Sequence, residues 1–335
     1  MPATTSKNEP SRALIDQYVE SVFAPMAMLA AMQLGVFTPL AEGPMTAPEL
    51  AADLDADAAN LAPLLYELVV ANLLTCEADR FSNTAVADRF LVPGKPDFIG
   101  RAYERWKENW IALLGTEQIV RTGKPHAKTE FLAMSEDDLM VFLRGLHDTT
   151  INGGRALAAE HDFSQFEHIV DIAGGAGGLS VALCQEYPEL RATVVELPAV
   201  TPTTSKFIAE ASLEDRIGVQ AADLLSEDLP GEYDAALVKS FIQVLSPGQA
   251  AIALRRIGAA LRTDGRIFIL GRILNDDRVS PAFTVGFNLV FVNIYDDGRA
   301  YTEGEYRSWL ETAGFTDVAA KEFRGGDVLI TARKV

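Results

Sequence analysis

Cysteine is nearly absent: the 335 residues contain two, Cys76 and Cys184, far apart and without paired spacing. That excludes a disulfide framework and a thiolate zinc site, and it fits a reducing compartment. Histidine is equally scarce. The four present, His126, His147, His161 and His168, form no HExxH pattern and no CxxC accompanies them, so no metal is expected. No run approaches the roughly 20 apolar residues of a membrane span, and the opening MPATTSKNEPSR lacks an apolar targeting core; a cytoplasmic chain with no membrane partner is expected. Positive charge is in deficit too, with 29 Lys and Arg against 47 Asp and Glu and a formal net charge of −18. Nucleic-acid phosphates and anionic lipids repel such a chain, so neither is expected as a partner.

What is present is apolar material, 48% of the residues, enough for two cores. Leu14, Tyr18, Val22, Met26, Leu29, Met32 and Leu34 recur at helical spacing until Gly35 breaks the pattern. Helices apolar on more than one face need a cover from outside the local fold, and a second copy of the chain is the simplest. Thr46 then caps APELAADL, Asp57 begins AANLAPLLYELVVANLL, and TCEADRFSNT reads as a hairpin. Helix, turn, helix and wing suggest DNA binding. The second helix, however, offers Asp57, Asn60, Tyr66, Glu67 and Asn72 but no Lys or Arg, and Asp53 and Asp55 precede it. Residues 12–93 are therefore predicted to be an α-helical winged-helix dimerisation domain, and residues 94–150 a set of linking helices that contribute to an acceptor pocket.

From His168 the pattern becomes strand and helix in alternation. Strands are predicted at HIVDIAG, ATVVEL, IGVQAAD, AALVKSF and RIFILGRI, with helices at LSVALCQEY, VTPTTSKFIAEA and PGQAAIALRRIGAAL. Residues 151–335 thus form an α/β domain, a doubly wound Rossmann-like sheet. A helix, TEGEYRSWLETAG, and a terminal pair, TDVAAKEF and GDVLITARKV around a Gly-Gly turn, add an antiparallel strand at the end.

The densest motif is DIAGGAGG: Asp171 on a strand, then Gly174, Gly175, Gly177 and Gly178 leading into a helix. Glycines at a strand's carboxyl end permit a sharp turn and close approach of a ligand. Glu196 ends the next strand, where an acid can take both ribose hydroxyls, and Asp223 closes the third. A nicotinamide site fits poorly, because Ser180 stands where the third fingerprint glycine belongs and Asp171 suits a cationic ligand better than a pyrophosphate.

On these residues the chain resembles the class I S-adenosylmethionine-dependent methyltransferases, and with its winged helix it resembles the plant-type small-molecule O-methyltransferase family, which has bacterial members. DIAGGAG matches the family's glycine motif, with Ala173 where glycine is usual. The resemblance implies S-adenosylmethionine as cofactor and S-adenosylhomocysteine as product. It also implies cofactor contacts from Asp171, Gly174, Gly175, Gly177, Glu196 with Leu197, Asp223 with Leu224, and Lys239, and a homodimer through the N-terminal helices.

The departures carry the chemistry. The family's base is a histidine four residues beyond the lysine position, and that residue is Gln243 here. The family supports its base with two acids, whose positions match Gly271 and Ala300. A hydroxyl must lose a proton to attack a methyl group, and general-base help contributes about 10²–10⁴-fold. Glutamine cannot take that proton. A thioether sulfur has no proton to lose, and an activated carbon or neutral amine needs no strong base first. Bacterial enzymes of this architecture methylate the sulfur of 4-methylthio-2-hydroxybutyrate towards dimethylsulfoniopropionate, and that acceptor is the leading expectation. An O- or C-methyltransferase with a relocated base, His147 or a tyrosine, is a second, and a cofactor-binding protein without methyl transfer a third.

An acidic acceptor needs a partner for its carboxylate. Arg144 and His147, in FLRGLHDTT, and Tyr103 and Arg105 on the linking helices are candidates. Asn288 and Asn293 are polar groups on the apolar FNLVFVN, and Tyr103, Trp106 and Phe291 could wall the pocket. For each of these the alternative is ordinary packing or surface charge.

Overall fold

A computed structural model describes residues 11–100, 106–125, 127–128 and 133–335; Tyr103, Arg105 and His126 lie outside them. The chain divides into two compact units, residues 1–108 and 109–335.

In the first unit, helix α1 (Ala13–Glu20) buries none of its residues. Leu14, Ile15, Tyr18 and Val19 are each more than half exposed, the unpartnered apolar surface expected from the sequence. Helix α2 (Phe23–Leu34) ends at Gly35, whose φ of 76° is the left-handed conformation of a helix C-cap. Helix α3 (Ala47–Asp53) starts at a capping box in which Thr46 and Glu49 satisfy each other's backbone N–H groups. Helix α4 (Ala58–Val70) starts where Asp57 accepts the Asn60 N–H at 2.9 Å. Strands β1 (Leu74–Glu77) and β2 (Arg80–Asn83) form the wing, and α5 (Ala85–Leu91) follows. Leu50, Leu65, Leu68, Leu74 and Phe81 are the core of this unit, each at most 1% exposed.

Helix α6 (Trp106–Leu114) runs across the division between the units; α7 (Thr116–Thr122) and α8 (Glu136–Glu160) follow, and α8 continues through residue 150 without a break. Seven strands then build one sheet: β3 (His168–Ile172), β4 (Arg191–Glu196), β5 (Ile217–Ala221), β6 (Tyr233–Lys239), β7 (Leu261–Gly271), β8 (Phe315–Glu322) and β9 (Val328–Lys334). Their order is β5-β4-β3-β6-β7-β9-β8, parallel from β5 to β7, with β9 antiparallel to both its neighbours. The alternation of Ala235, Ala236, Leu237 and Val238 between two separate cores explains why β6 reads as one unbroken apolar run: both its faces are covered. Each fully buried Val- or Leu-sized side chain contributes about 1.5–3 kcal/mol.

Helices α9 (Gly178–Glu186) and α10 (Thr201–Glu210) follow β3 and β4; α11 (Pro247–Ala259) lies between β6 and β7, and α12 (Ala282–Ile294) and α13 (Glu303–Thr312) between β7 and β8. Helix α8 packs against α9 so closely that a Cβ at Gly154 would stand 2.7 Å from that of Ala182. The strand order reverses direction at β3, between β4 and β6. In a doubly wound sheet the crevice at such a reversal, at the carboxyl ends of the strands, is the ligand site.

Candidate active site

At that reversal the backbone after Ile172 turns through Ala173, Gly175 and Gly177, with φ of 50°, 57° and 67°. Gly174 is required for a different reason: its Cβ would fall 2.7 Å from the Asp171 carboxyl carbon. Glu196 holds the loop. Its Oε1 accepts the Gly175 N–H and its Oε2 the Leu197 N–H, both at 2.9 Å, which ties the ends of β3 and β4 together. Burial raises the Glu196 pKa while those two bonds oppose the shift. Each oxygen keeps a further lone pair for a ligand hydroxyl. Beyond β5, Asp223 accepts the Leu225 N–H at 2.9 Å and the Ser226 hydroxyl at 3.0 Å. The Leu224 side chain is buried in the sheet core, and Leu197 packs with Leu139, Leu143 and Phe207.

Asp171 is the least satisfied group of the loop. It is 1% exposed; its Oδ2 accepts the Ser180 hydroxyl at 2.9 Å and its Oδ1 has no hydrogen-bond partner among the described residues. Burial pushes its carboxyl up to about 7, the Ser180 bond works against that rise, and the neighbouring Glu196 charge adds to it. Ser180, out of place in a nicotinamide fingerprint, is thus the partner of this acid. An orphaned acceptor on a buried carboxylate, together with the two carboxylates at the next strand ends, fits a cationic, ribose-bearing ligand.

The second cluster stands at the carboxyl ends of β6 and β7. Gln243 is 7% exposed, and its Oε1 accepts the Arg272 N–H at 3.2 Å. A Cβ placed on Gly271 would meet that same oxygen at 2.9 Å, so the amide fills the space a side chain at 271 would need. The Gln243 carbonyl accepts the Arg299 N–H at 2.9 Å, and the next N–H, of Ala300, goes to Asn288 Oδ1 at 2.7 Å. Gln243, Gly271 and Ala300 are therefore neighbours in space, as the resemblance implied, but bound through amides. With the carbonyl oxygens of Gln243 and Asn288 anchored on backbone donors, their NH2 groups have no hydrogen-bond partner among the described residues. Lys239 donates from Nζ to Asp327 Oδ2 at 2.8 Å, and Asp327 Oδ1 lies 3.3 Å from Arg272 Nε.

The remaining candidates are dispersed. Arg144 pairs with Glu210 at 2.6 Å and lies over the Phe207 ring, half-exposed between α8 and α10. His147 packs tilted against Phe207 at 5.0 Å, with Nδ1 buried and unpartnered among the described residues; burial, and next Arg144, hold its pKa below the ordinary value. Asn293 is fully buried and donates to Thr116 and to the Leu289 carbonyl, a structural amide. Phe291 is 2% exposed among Leu274, Ala300, Phe287 and Tyr295. Trp106 opens α6 in the first unit. Among tyrosines, Tyr301 is buried with its hydroxyl donated to the Leu245 carbonyl and its pKa pushed up to about 12, which disqualifies it as a base. Sequence reasoning missed Arg272 and Asp327; the only signal was an arginine directly after the apolar strand RIFILG.

Comparison with known proteins places the chain in a family. Residues 118–316 match the O-methyltransferase domain and residues 16–93 the O-methyltransferase dimerisation domain. The chain belongs to the O-methyltransferase family and is an S-adenosylmethionine-dependent methyltransferase with a dimerisation domain. It is 31% identical, over 92% of this chain and 91% of the relative, to 3-hydroxy-5-methyl-1-naphthoate 3-O-methyltransferase of Streptomyces sahachiroi. It is 28% identical, over 92% of each chain, to the N,N-dimethyltransferase OxyT of Streptomyces rimosus. The solved structure of human N-acetylserotonin methyltransferase in complex with S-adenosylmethionine superposes with a TM-score of 0.82 at 26% identity, covering 99% of both chains. No helix among the described residues is long and apolar enough to cross a membrane.

Proposed function

We propose that this enzyme methylates a small-molecule acceptor whose reacting atom gives up no proton to residue 243. The observation that carries this is the Gln243 amide seated over Gly271, with Ala300 alongside, where the family's base and its two acids would stand. S-adenosylmethionine supplies an electrophilic methyl group on a sulfonium centre. Asp171, Glu196, Asp223 and Lys239 would hold it, Asp171 through the free Oδ1 and Glu196 through its remaining lone pairs. Gln243 can only donate from Nε2 or accept at Oε1, so its part is to orient an acceptor and exclude water. A thioether sulfur, as in 4-methylthio-2-hydroxybutyrate on the way to dimethylsulfoniopropionate, meets this condition, and so does a neutral amine. The N,N-dimethyltransferase among the relatives is consistent with the latter.

A second reading, transfer to oxygen, is favoured by the O-methyltransferase relatives. It requires a hydroxyl acidic enough to ionise unaided, or a base elsewhere. His147 is the candidate for that base: burial lowers its pKa, which favours the neutral imidazole, and its buried Nδ1 has no partner among the described residues. The matched dimerisation domain supports a homodimer, and the apolar exposure of α1 and α2 supports those helices as its interface.

Incubating the purified protein with methyl-labelled S-adenosylmethionine and a panel of thioethers, amines and phenols tests this. Label on sulfur or nitrogen is expected. Label confined to phenolic oxygen sinks the leading reading, and tight cofactor binding without transfer to any thioether, amine or phenol sinks both.

A further inference from the structure

Resting on the proposed transfer beside Gln243, we propose that Arg272 selects acceptors that carry a carboxylate. Arg272 follows Gly271 at the end of β7, and its own N–H fixes the Gln243 amide, so its guanidinium grows from the corner where the acceptor is to be oriented. Two cations share one carboxylate there: Asp327 bonds Lys239 at 2.8 Å and lies 3.3 Å from Arg272. The side chains of Lys239, Asp327 and Arg272 are 18%, 15% and 21% exposed, so the surplus positive charge is poorly screened by water. In a chain of net charge −18 this is a local inversion of sign.

The guanidinium is held for use. Its carbon lies 4.7 Å from the Phe283 ring centre and 5.9 Å from that of Phe287, both on α12, which cover its flat face. Its Nη1 is buried without a hydrogen-bond partner among the described residues, in room that exists because residue 326 is glycine; a Cβ there would stand 2.5 Å away. Pinning the hairpin turn that contains Asp327 needs one cation, and Lys239 already supplies it. A planar fork with an unmet Nη1 donor, backed by aromatic rings, matches a carboxylate in geometry and charge. Arg144, the candidate from sequence, is already committed to Glu210.

The test is calorimetric binding of two acid–amide pairs to the full-length protein saturated with S-adenosylhomocysteine: 4-(methylthio)butyrate with its amide, and 4-hydroxybenzoate with 4-hydroxybenzamide. The wild type should bind at least one acid about tenfold or more tightly than its amide, as charge-assisted bidentate bonds imply. Arg272→Met should abolish that preference and Arg272→Lys should retain part of it. Asp327→Asn, which removes the competing anion, should strengthen acid binding, a gain that a folding defect cannot mimic. Equal binding of acids and amides, binding of neither, or an acid preference that survives Arg272→Met overturns the inference. The outcome is separable from the choice of reacting atom: methyl transfer confined to phenolic oxygen defeats the thioether reading and leaves the acid preference standing.

Discussion

Replacing Asp171 by asparagine should make the cofactor-free protein more stable and the cofactor-bound protein relatively less so. The carboxylate is 1% exposed with one oxygen orphaned, and burial lifts its pKa from 3.8 to about 7. Between those values the folded state holds a proton that the unfolded state has lost. Stability therefore falls as pH rises towards 7 and levels off above it. From pH 5.5 to 8.5 the loss from this group is about 1.5 units at 1.36 kcal/mol each, or about 2 kcal/mol. The substituted amide has no such titration and still offers Ser180 an acceptor. Urea denaturation at both pH values should show the variant gaining about 2 kcal/mol on the wild type as pH rises. S-adenosylhomocysteine at about 1,000 times its dissociation constant stabilises the wild type by about 4 kcal/mol and should stabilise the variant far less. A variant less stable than wild type at pH 8.5 without ligand, or equal stabilisation of both by ligand, refutes the view that Asp171 is kept unsatisfied for the sake of the cofactor.

Three further outcomes follow from named contacts. Ala173 sits at φ 50°, a conformation that costs a Cβ-bearing residue about 1–2 kcal/mol, part of which is regained as unfolded-chain entropy; Ala173→Gly should raise the apparent Tm by a few degrees, read by scanning calorimetry, and a lower Tm contradicts the assignment of strain. Restoring the family's pair requires both changes together, because a side chain at 271 meets the Gln243 amide at 2.9 Å. Gly271→Asp alone should lose activity and stability, whereas Gln243→His with Gly271→Asp should relieve the clash and raise transfer to phenols about 10²-fold, with additive effects of the two changes counting against the coupling. Leu14→Asp with Tyr18→Asp, placed on a helix with no buried residue, should shift sedimentation from dimer to monomer while leaving the far-ultraviolet circular dichroism unchanged.

The sheet was legible because its strands are buried on both faces and read as apolar runs, and the N-terminal helices because caps such as Thr46 and Asp57 announce them. The glycine loop was legible for the same kind of reason: Gly175 and Gly177 need positive φ and Gly174 needs space. The adjacency of Gln243, Gly271 and Ala300 came from family resemblance and could not come from spacing, since their segments meet only through the sheet. Arg144 shows the limit of sequence pattern. It was a reasonable carboxylate partner until Glu210, 66 residues later, proved to occupy it. Arg272 escaped notice because its significance depends on Asp327 and on the rings of Phe283 and Phe287, residues that only the fold brings to it.

The central claim is that residue 243 orients the acceptor and takes no proton. Single-turnover methyl transfer to the best acceptor of the panel, measured from about pH 6 to 9 in wild type and Gln243→Ala, tests it most directly. If residue 243 takes no proton, the pH profile should be the same in both proteins, flat for a thioether and following the acceptor's own ionisation for an amine, with a raised KM as the variant's main defect. A rate in wild type that climbs about tenfold per pH unit to a plateau, with the climb abolished in Gln243→Ala, would contradict it.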